Sequence, residues 1–294
     1  MSDAPTLPSG DVLLTADGVH RSFGGLRAVD VEHMDVERGS VVALIGPNGA
    51  GKTTFFNVLT GFERADGGSW TFEGRDMSGR SAYLAARDGM VRTFQTARVF
   101  PRLTVLDNIR LAAKDQTGER LLSALLPWRW RRQETELAER AAELGRWAGL
   151  GDKLDDMAGT LSGGQRKLLE LARGVMAAPR LLMLDEPMAG VNPALRQILL
   201  DKIRELPGEG ITVLFVEHDM DVVSAISDVV VCMAEGRIIA TGTAGEVAAD
   251  ERVVEAYLGG SSADLRDMQA EFQDAVDELY GDRLTDAPEQ GDQR

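Results

Sequence analysis

The apolar run Val41 to Ile45 passes directly into Gly46-Pro47-Asn48-Gly49-Ala50-Gly51-Lys52-Thr53-Thr54, and this junction restricts the fold more than any other stretch of the chain. A buried strand, a glycine-rich loop and a Lys-Thr pair opening a helix form the arrangement that cradles the phosphates of a nucleoside triphosphate. The glycines let the backbone curl around the phosphates and aim N–H groups at them. The positive end of the following helix adds to the attraction. Lys52 is placed to supply a cation toward the β- and γ-phosphates, and the Thr53 hydroxyl to ligate Mg²⁺. Such a loop belongs to α/β proteins, so further buried strands are expected to join Val41 to Ile45 in one sheet.

Two more strands fit that expectation. Leu181 to Leu184 ends in Asp185-Glu186-Pro187, which puts two carboxylates at the carboxyl edge of the sheet, where such sheets bind ligands. Asp185 suits an acidic residue that holds Mg²⁺ directly or through water, and Glu186 suits a base that polarises a water against the γ-phosphate. The competing reading is an acidic pair that only caps a helix; the phosphate loop favours the metal reading. Ile211 to Val216 runs into Glu217-His218-Asp219 and delivers His218 to the same edge, where an imidazole can donate to a transferring phosphoryl group. His20 and His33 have no comparable setting and read as ordinary surface or packing residues.

With 44% hydrophobic and 27% charged residues over 294 positions, the chain can bury a core large enough for two subdomains. No apolar stretch reaches the roughly 18 residues that would cross a bilayer, and Met1 to Gly10 lacks a secretory pattern, so a cytoplasmic chain is expected. Cys232 is the only cysteine, which excludes an intrachain disulfide and reads as an inert thiol in the strand Val229 to Met233. A net charge of −15 argues against nonspecific nucleic-acid binding.

Leu161-Ser162-Gly163-Gly164-Gln165-Arg166-Lys167 makes a second glycine turn, opening the helix-forming run Leu168 to Arg173. It offers helix N–H groups and the Ser162 hydroxyl to an anion. Taken in this order, the motifs make the chain resemble the ATP-binding-cassette (ABC) ATPases from about Val12 to Gly259. The resemblance implies an α/β fold: a RecA-like P-loop core with an antiparallel β subdomain, plus a helical subdomain at about 99–178. It implies ATP and Mg²⁺ as cofactors. It also implies a head-to-tail pair of cassettes, in which Ser162, Gly163 and Gly164 of one subunit, with Gln165 in the same turn, serve the nucleotide held by Lys52 of the other. Phe23 matches the aromatic that stacks on adenine, and Gln95 the glutamine that touches Mg²⁺ and the attacking water. Asn192 stands where the family more often has Asp, which puts any cross-dimer salt link there in doubt.

Within that family, Phe23 to Val29, Arg92 to Gln95, Leu103 to Asn108, Met188 to Pro193 and Glu255 to Gly259 resemble the ATPases of branched-chain amino-acid importers. This implies separate transmembrane permease subunits, a coupling contact near Gln95 and Arg98 to Pro101, and a second ATPase subunit, identical or paralogous. It further implies an external substrate-binding protein and a peripheral place on the cytoplasmic face of the membrane. Lipid export, urea or amide transport, and a soluble ABC ATPase acting without a permease are the alternatives. Gly118 to Arg132 mixes leucines, two tryptophans and arginines, and two readings stand for it: a docking segment, or a subdomain core with solvated arginines. At 260–294 an acidic extension is expected, an amphipathic helix on Leu265, Met268, Phe272, Val276 and Leu279 and then a disordered tail.

Overall fold

The computed structural model describes residues 11–93, 99–114 and 127–258. Two sheets form among these residues. In the first, β1 (Val12–Phe23) and β2 (Leu26–Glu37) make a hairpin whose turn, Gly24 and Gly25, takes the positive φ values that tight hairpins need. β4 (Gly67–Phe72) and β5 (Arg75–Asp76) complete the order β2-β1-β4-β5. β1 and β2 run 12 residues each. Charged residues on the outward face break up the apolar pattern without interrupting the strands. Between them Leu14, Ala16, Val19 and, opposite, Val31, Met34 and Val36 alternate inward.

The second sheet has the order β10-β9-β3-β8-β7-β6 and holds β3 (Val41–Ile45), β6 (Met90–Arg92), β7 (Leu181–Asp185), β8 (Thr212–Val216), β9 (Val229–Ala234) and β10 (Arg237–Gly242). β10 alone runs antiparallel to its neighbour. The central strands are buried on both faces, which is why they read as continuous apolar runs. Val41, Ala43, Ile45, Leu182, Leu184, Val213 and Phe215 face one cluster, and Val42, Leu44, Leu181, Met183, Leu214 and Val216 face the other.

The second cluster lies between the two sheets and takes in Phe55, Phe56, Val58 and Leu59 of α1 (Lys52–Leu59). Trp70 locks this layer by donating from Nε1 to the Leu59 carbonyl at the end of α1. The first cluster receives α3 (Val105–Arg110), α4 (Pro127–Trp147), α5 (Gly163–Met176) and α6 (Pro193–Glu205); α2 (Ala82–Asp88) lies before β6. Buried Asn108 explains the Leu103 to Asn108 motif, since its Oδ1 accepts the Phe100 N–H and its Nδ2 donates to the carbonyls of Phe100, Leu103 and Thr104. The core does not end with α7 (Met220–Ile226) and β9. It continues through β10, α8 (Ala244–Ala248) and α9 (Glu251–Leu258), which bury Ala240, Val247 and Val253. The region 260–294 and residues 118–126 of the Trp/Arg-rich segment lie outside the described residues; of its remainder only the backbone, opening α4, is described.

Candidate nucleotide-binding site

The parallel register pairs Leu44 with Val216 and Val216 with Asp185, so β3, β8 and β7 end level at one edge. The loops carrying Gly46 to Thr54, Glu186 and His218 therefore leave the sheet side by side. At Gly46, φ is +145° and a Cβ would lie 2.0 Å from the Met233 carbonyl oxygen; at Gly51, φ is +98° and a Cβ would lie 2.2 Å from that of Ala28. Only glycine lets the loop seat this tightly on β9 and β2. Gly236 fastens it further, donating to the Ala50 carbonyl and accepting from the Asp30 N–H. Gly49, by contrast, has nothing within 4 Å of its Cβ position and faces open space.

Lys52 Nζ arches over the loop to the carbonyls of Gly46 at 2.5 Å and Pro47 at 3.0 Å. Burial lowers its pKa, and the charges of Glu186 and Asp185 work against that fall. The N–H groups of Lys52, Thr53 and Thr54, in the first turn of α1, have no partner within the helix and suit phosphate oxygens. Burial raises the pKa of the Tyr257 hydroxyl of α9, and the nearby Gly46 N–H works against that rise. The sequence reading did not single out Tyr257; its place in the Glu255 to Gly259 motif was the available signal.

Asp185 is nearly buried and pairs through Oδ2 with Arg92 Nη2 at 2.7 Å. Its Oδ1 accepts no hydrogen bond among the described residues. One free carboxylate oxygen and the Thr53 hydroxyl fit Mg²⁺, which takes few protein ligands and completes its octahedron with phosphate oxygens and water. No cluster of three or more His, Cys, Asp or Glu residues suited to a metal occurs among the described residues.

Glu186 adopts φ +46°, a left-handed conformation rare outside glycine. Its N–H donates to Val216 O at 3.0 Å, and its carbonyl accepts from Ala189 N–H and Lys167 Nζ, both at 3.2 Å. Strain held from several sides marks a residue whose side chain must point one way. Glu217 is a residue the sequence reading passed over. At 1% exposure its carboxylate accepts the N–H of Met188 at 2.9 Å and of His218 at 3.3 Å, and burial raises its pKa. It thereby ties the Met188 to Pro193 turn to the backbone of His218, whose ring is exposed. Its signal was a carboxylate at the end of a strand that is apolar but for Thr212.

Ser162 caps α5 in a reciprocal box: its Oγ accepts the Gln165 N–H and Gln165 Oε1 accepts the Ser162 N–H. Ser162 and Gly163 lie on the surface. Gly164 is buried against Leu195 and Val191, and Gly163 lies beside the Gly190 carbonyl. Asn192 caps α6 through Oδ1 to the Leu195 N–H. Phe23 ends β1, exposed, with the Arg21 guanidinium 4.6 Å from its ring centre. That hairpin end adjoins the loop, because Ala28, one residue past the Arg21–Val29 pair, touches Gly51. Gln95 and Arg98 lie outside the described residues.

Proteins that wrap a strand-to-helix glycine loop in this way, with acidic and histidine-bearing strand ends beside it, are P-loop nucleotide-binding proteins, and this chain is one of them. A family profile described as ABC transporter matches residues 29–189, and a second, described as branched-chain amino acid ATP-binding cassette transporter, matches residues 237–263. The chain is 40% identical over 253 residues to a probable branched-chain amino acid transport ATP-binding protein LivG of Archaeoglobus fulgidus, covering 86% of this chain and 98% of the relative. It is 41% identical over 249 residues to the high-affinity branched-chain amino acid transport ATP-binding protein BraF of Pseudomonas aeruginosa, covering 84% and 98%. Among solved structures, a nucleotide-free ATP-binding cassette from an ABC transporter superposes with a TM-score of 0.72 at 37% identity, covering 84% and 98%. The ADP conformation of a cassette gives 0.72 at 36% identity, covering 84% and 99%. The chain belongs to the ABC transporter family, as one of its ATP-binding cassettes.

Proposed function

We propose that this chain is the ATP-hydrolysing subunit of a branched-chain amino-acid importer, coupling Mg-ATP binding and hydrolysis to movement of substrate through separate permease subunits. The observation that carries the cargo is the match of the β10 to α9 region, residues 237–263, to the branched-chain profile, joined to relatives of that name along 84% or more of the chain. The domain plan is an ABC unit at 12–259 with a helical subdomain at about 99–178, followed by the extension at 260–294.

In this reading the Gly46 to Thr54 loop and the first-turn N–H groups of α1 bind the phosphates, and Lys52 exchanges its loop carbonyls for phosphate oxygens. Thr53, Asp185 and Gln95 hold Mg²⁺, which when bound offsets charge on the β- and γ-phosphates. Glu186 orients and deprotonates the attacking water, and His218 donates to the γ-phosphate. Phe23 stacks on adenine. Ser162 to Gln165 act across a dimer interface on the nucleotide of a second cassette, and ATP closes that dimer while hydrolysis reopens it. The assembly sits on the cytoplasmic face of the membrane and receives substrate from an external binding protein; among the described residues no helix is long and apolar enough to cross a membrane.

The test is uptake of radiolabelled leucine in cells carrying only the Lys52→Ala chain. Loss of leucine uptake, restored by the unaltered chain, supports the reading. Unchanged leucine uptake with a loss of urea or amide uptake, or of lipid export, overturns the cargo.

A further inference from the structure

Arg92 ends β6, beside Met183 in register, and its side chain faces the same side of the sheet as Asp185. Its guanidinium donates from Nη2 to Asp185 Oδ2 at 2.7 Å and from Nη1 to Asn57 Oδ1 on α1 at 2.5 Å. The rings of Phe56 and Phe62 lie 5.6 and 5.9 Å from its centre. The side chains of Arg92 and Asp185 are 5% and 8% exposed. We infer that Arg92 keeps the metal site closed to a divalent cation until a nucleotide arrives, by occupying one oxygen of Asp185 and bracing it against the helix behind the phosphate loop. The inference rests on the proposed role of Asp185 toward Mg²⁺.

The physical reason is charge. An uncompensated buried carboxylate is a strong cation trap, whereas one already paired with a guanidinium presents an incoming cation with little net charge. Aromatic rings beside the guanidinium limit water there, so the pair is not screened as a surface pair would be. The planar fork spans two acceptors on different elements, which an ammonium point charge cannot reproduce. A divalent cation then meets the Asp185 Oδ1 atom and the Thr53 hydroxyl, with the Asp185 charge offset by Arg92 and the Glu186 charge by Lys52. The phosphates of a nucleotide supply what is missing, so the metal enters with the nucleotide rather than ahead of it. Arg92 is thus a positioning residue: it touches neither nucleotide nor metal, and acts through Asp185.

The experiment is a Mn²⁺ titration of the full chain without nucleotide, followed by the electron paramagnetic resonance signal of free Mn²⁺. The unaltered chain is expected to bind Mn²⁺ weakly. Arg92→Gln, which keeps a donor and removes the charge, is expected to bind it about 10-fold more tightly, and Arg92→Gln with Asp185→Asn to fall back to the weak level. No gain in Arg92→Gln, or a gain that persists in the double variant, overturns the inference. Circular dichroism establishes that each variant is folded. If Arg92→Gln is not, Arg92→Lys is read instead, with a gain of about 3-fold expected from loss of the two-sided fork, and no gain counting against the inference. Asp185→Asn titrated with Mn²⁺ and ATP separates the two claims. Unaltered Mn-ATP binding by that variant removes Asp185 from the metal site and the inference with it. Weakened binding there, with no gain in Arg92→Gln, overturns the inference alone.

Discussion

Glu186 shows how much a single position can carry. Its left-handed backbone is held from β8, from Ala189 and from α5, so the carboxylate has a fixed origin. Glu186→Gln keeps the shape and removes the base. We expect steady-state ATPase turnover to fall about 100- to 10,000-fold with little change in ATP affinity, and the ATP-bound dimer to persist on size-exclusion chromatography. Fast turnover by this variant would remove Glu186 from the reaction. His33, far from that edge, makes a separate prediction. Its Nδ1 lies 2.7 Å from Asp17 Oδ1 and its Nε2 3.2 Å from Asp35 Oδ2, and these carboxylates, the Asp17 hydrogen bond foremost, raise its pKa. A folded pKa above the unfolded one means stabilisation that is full below about pH 6.5 and lost as pH climbs through the raised value. With the ring 56% exposed, solvent screening keeps it under about 1 kcal/mol. His33→Asn should abolish a fall in Tm of up to about 2–4 °C that the unaltered chain shows on going from pH 6 to pH 9 by calorimetry.

At the scale of elements, the phosphate loop is set by what packs behind it. Gly46→Ala would drive a methyl group into the Met233 carbonyl, where backbone rather than a side chain must give way. A loss of about 2–4 kcal/mol by urea unfolding, with weakened nucleotide binding, is expected. Cys232 lies on the opposite face of β9 from Met233, and burial pushes its thiol up to about 12. It should therefore resist dithionitrobenzoate at about pH 8 until the chain is unfolded. The helix starts were legible in the sequence because their signals are local. Ser162 with Gln165 is a capping box written three residues apart, and Asn192-Pro193 is a cap followed by proline at the first helical position. The length of β1 and β2 was not legible, because a strand with one wet face alternates and its charged positions look like interruptions. Tyr257 and Glu217 escaped for another reason: their partners lie in other loops, and nothing near them in sequence names those partners.

Across the whole molecule, the residues of the proposed site divide into two groups. Lys52, Thr53, Asp185, Glu186 and His218 gather at one sheet edge, while Ser162 and Gly163 lie on the surface at the start of α5. If the two groups meet across a dimer, Lys52→Ala and Ser162→Arg chains, each inactive alone, should regain ATPase activity when mixed, since a mixed dimer keeps one intact composite site. No recovery despite heterodimer formation would place both halves in one chain. What the sequence determined by itself was the class of the fold and the identity of the motifs. A glycine loop after a buried strand, a capped helix and a strand ending in carboxylates are each dictated by neighbours within a few residues. The tertiary structure alone decided what those motifs lean on. Arg92 and Asp185 are 93 residues apart along the chain and 2.7 Å apart in space, and the Gly46 cradle needs the Met233 carbonyl from the end of β9. A local pattern records the conformation a segment prefers. Which buried charge compensates which depends on how strands are ordered in the sheet, and that order emerges only when the whole core is packed.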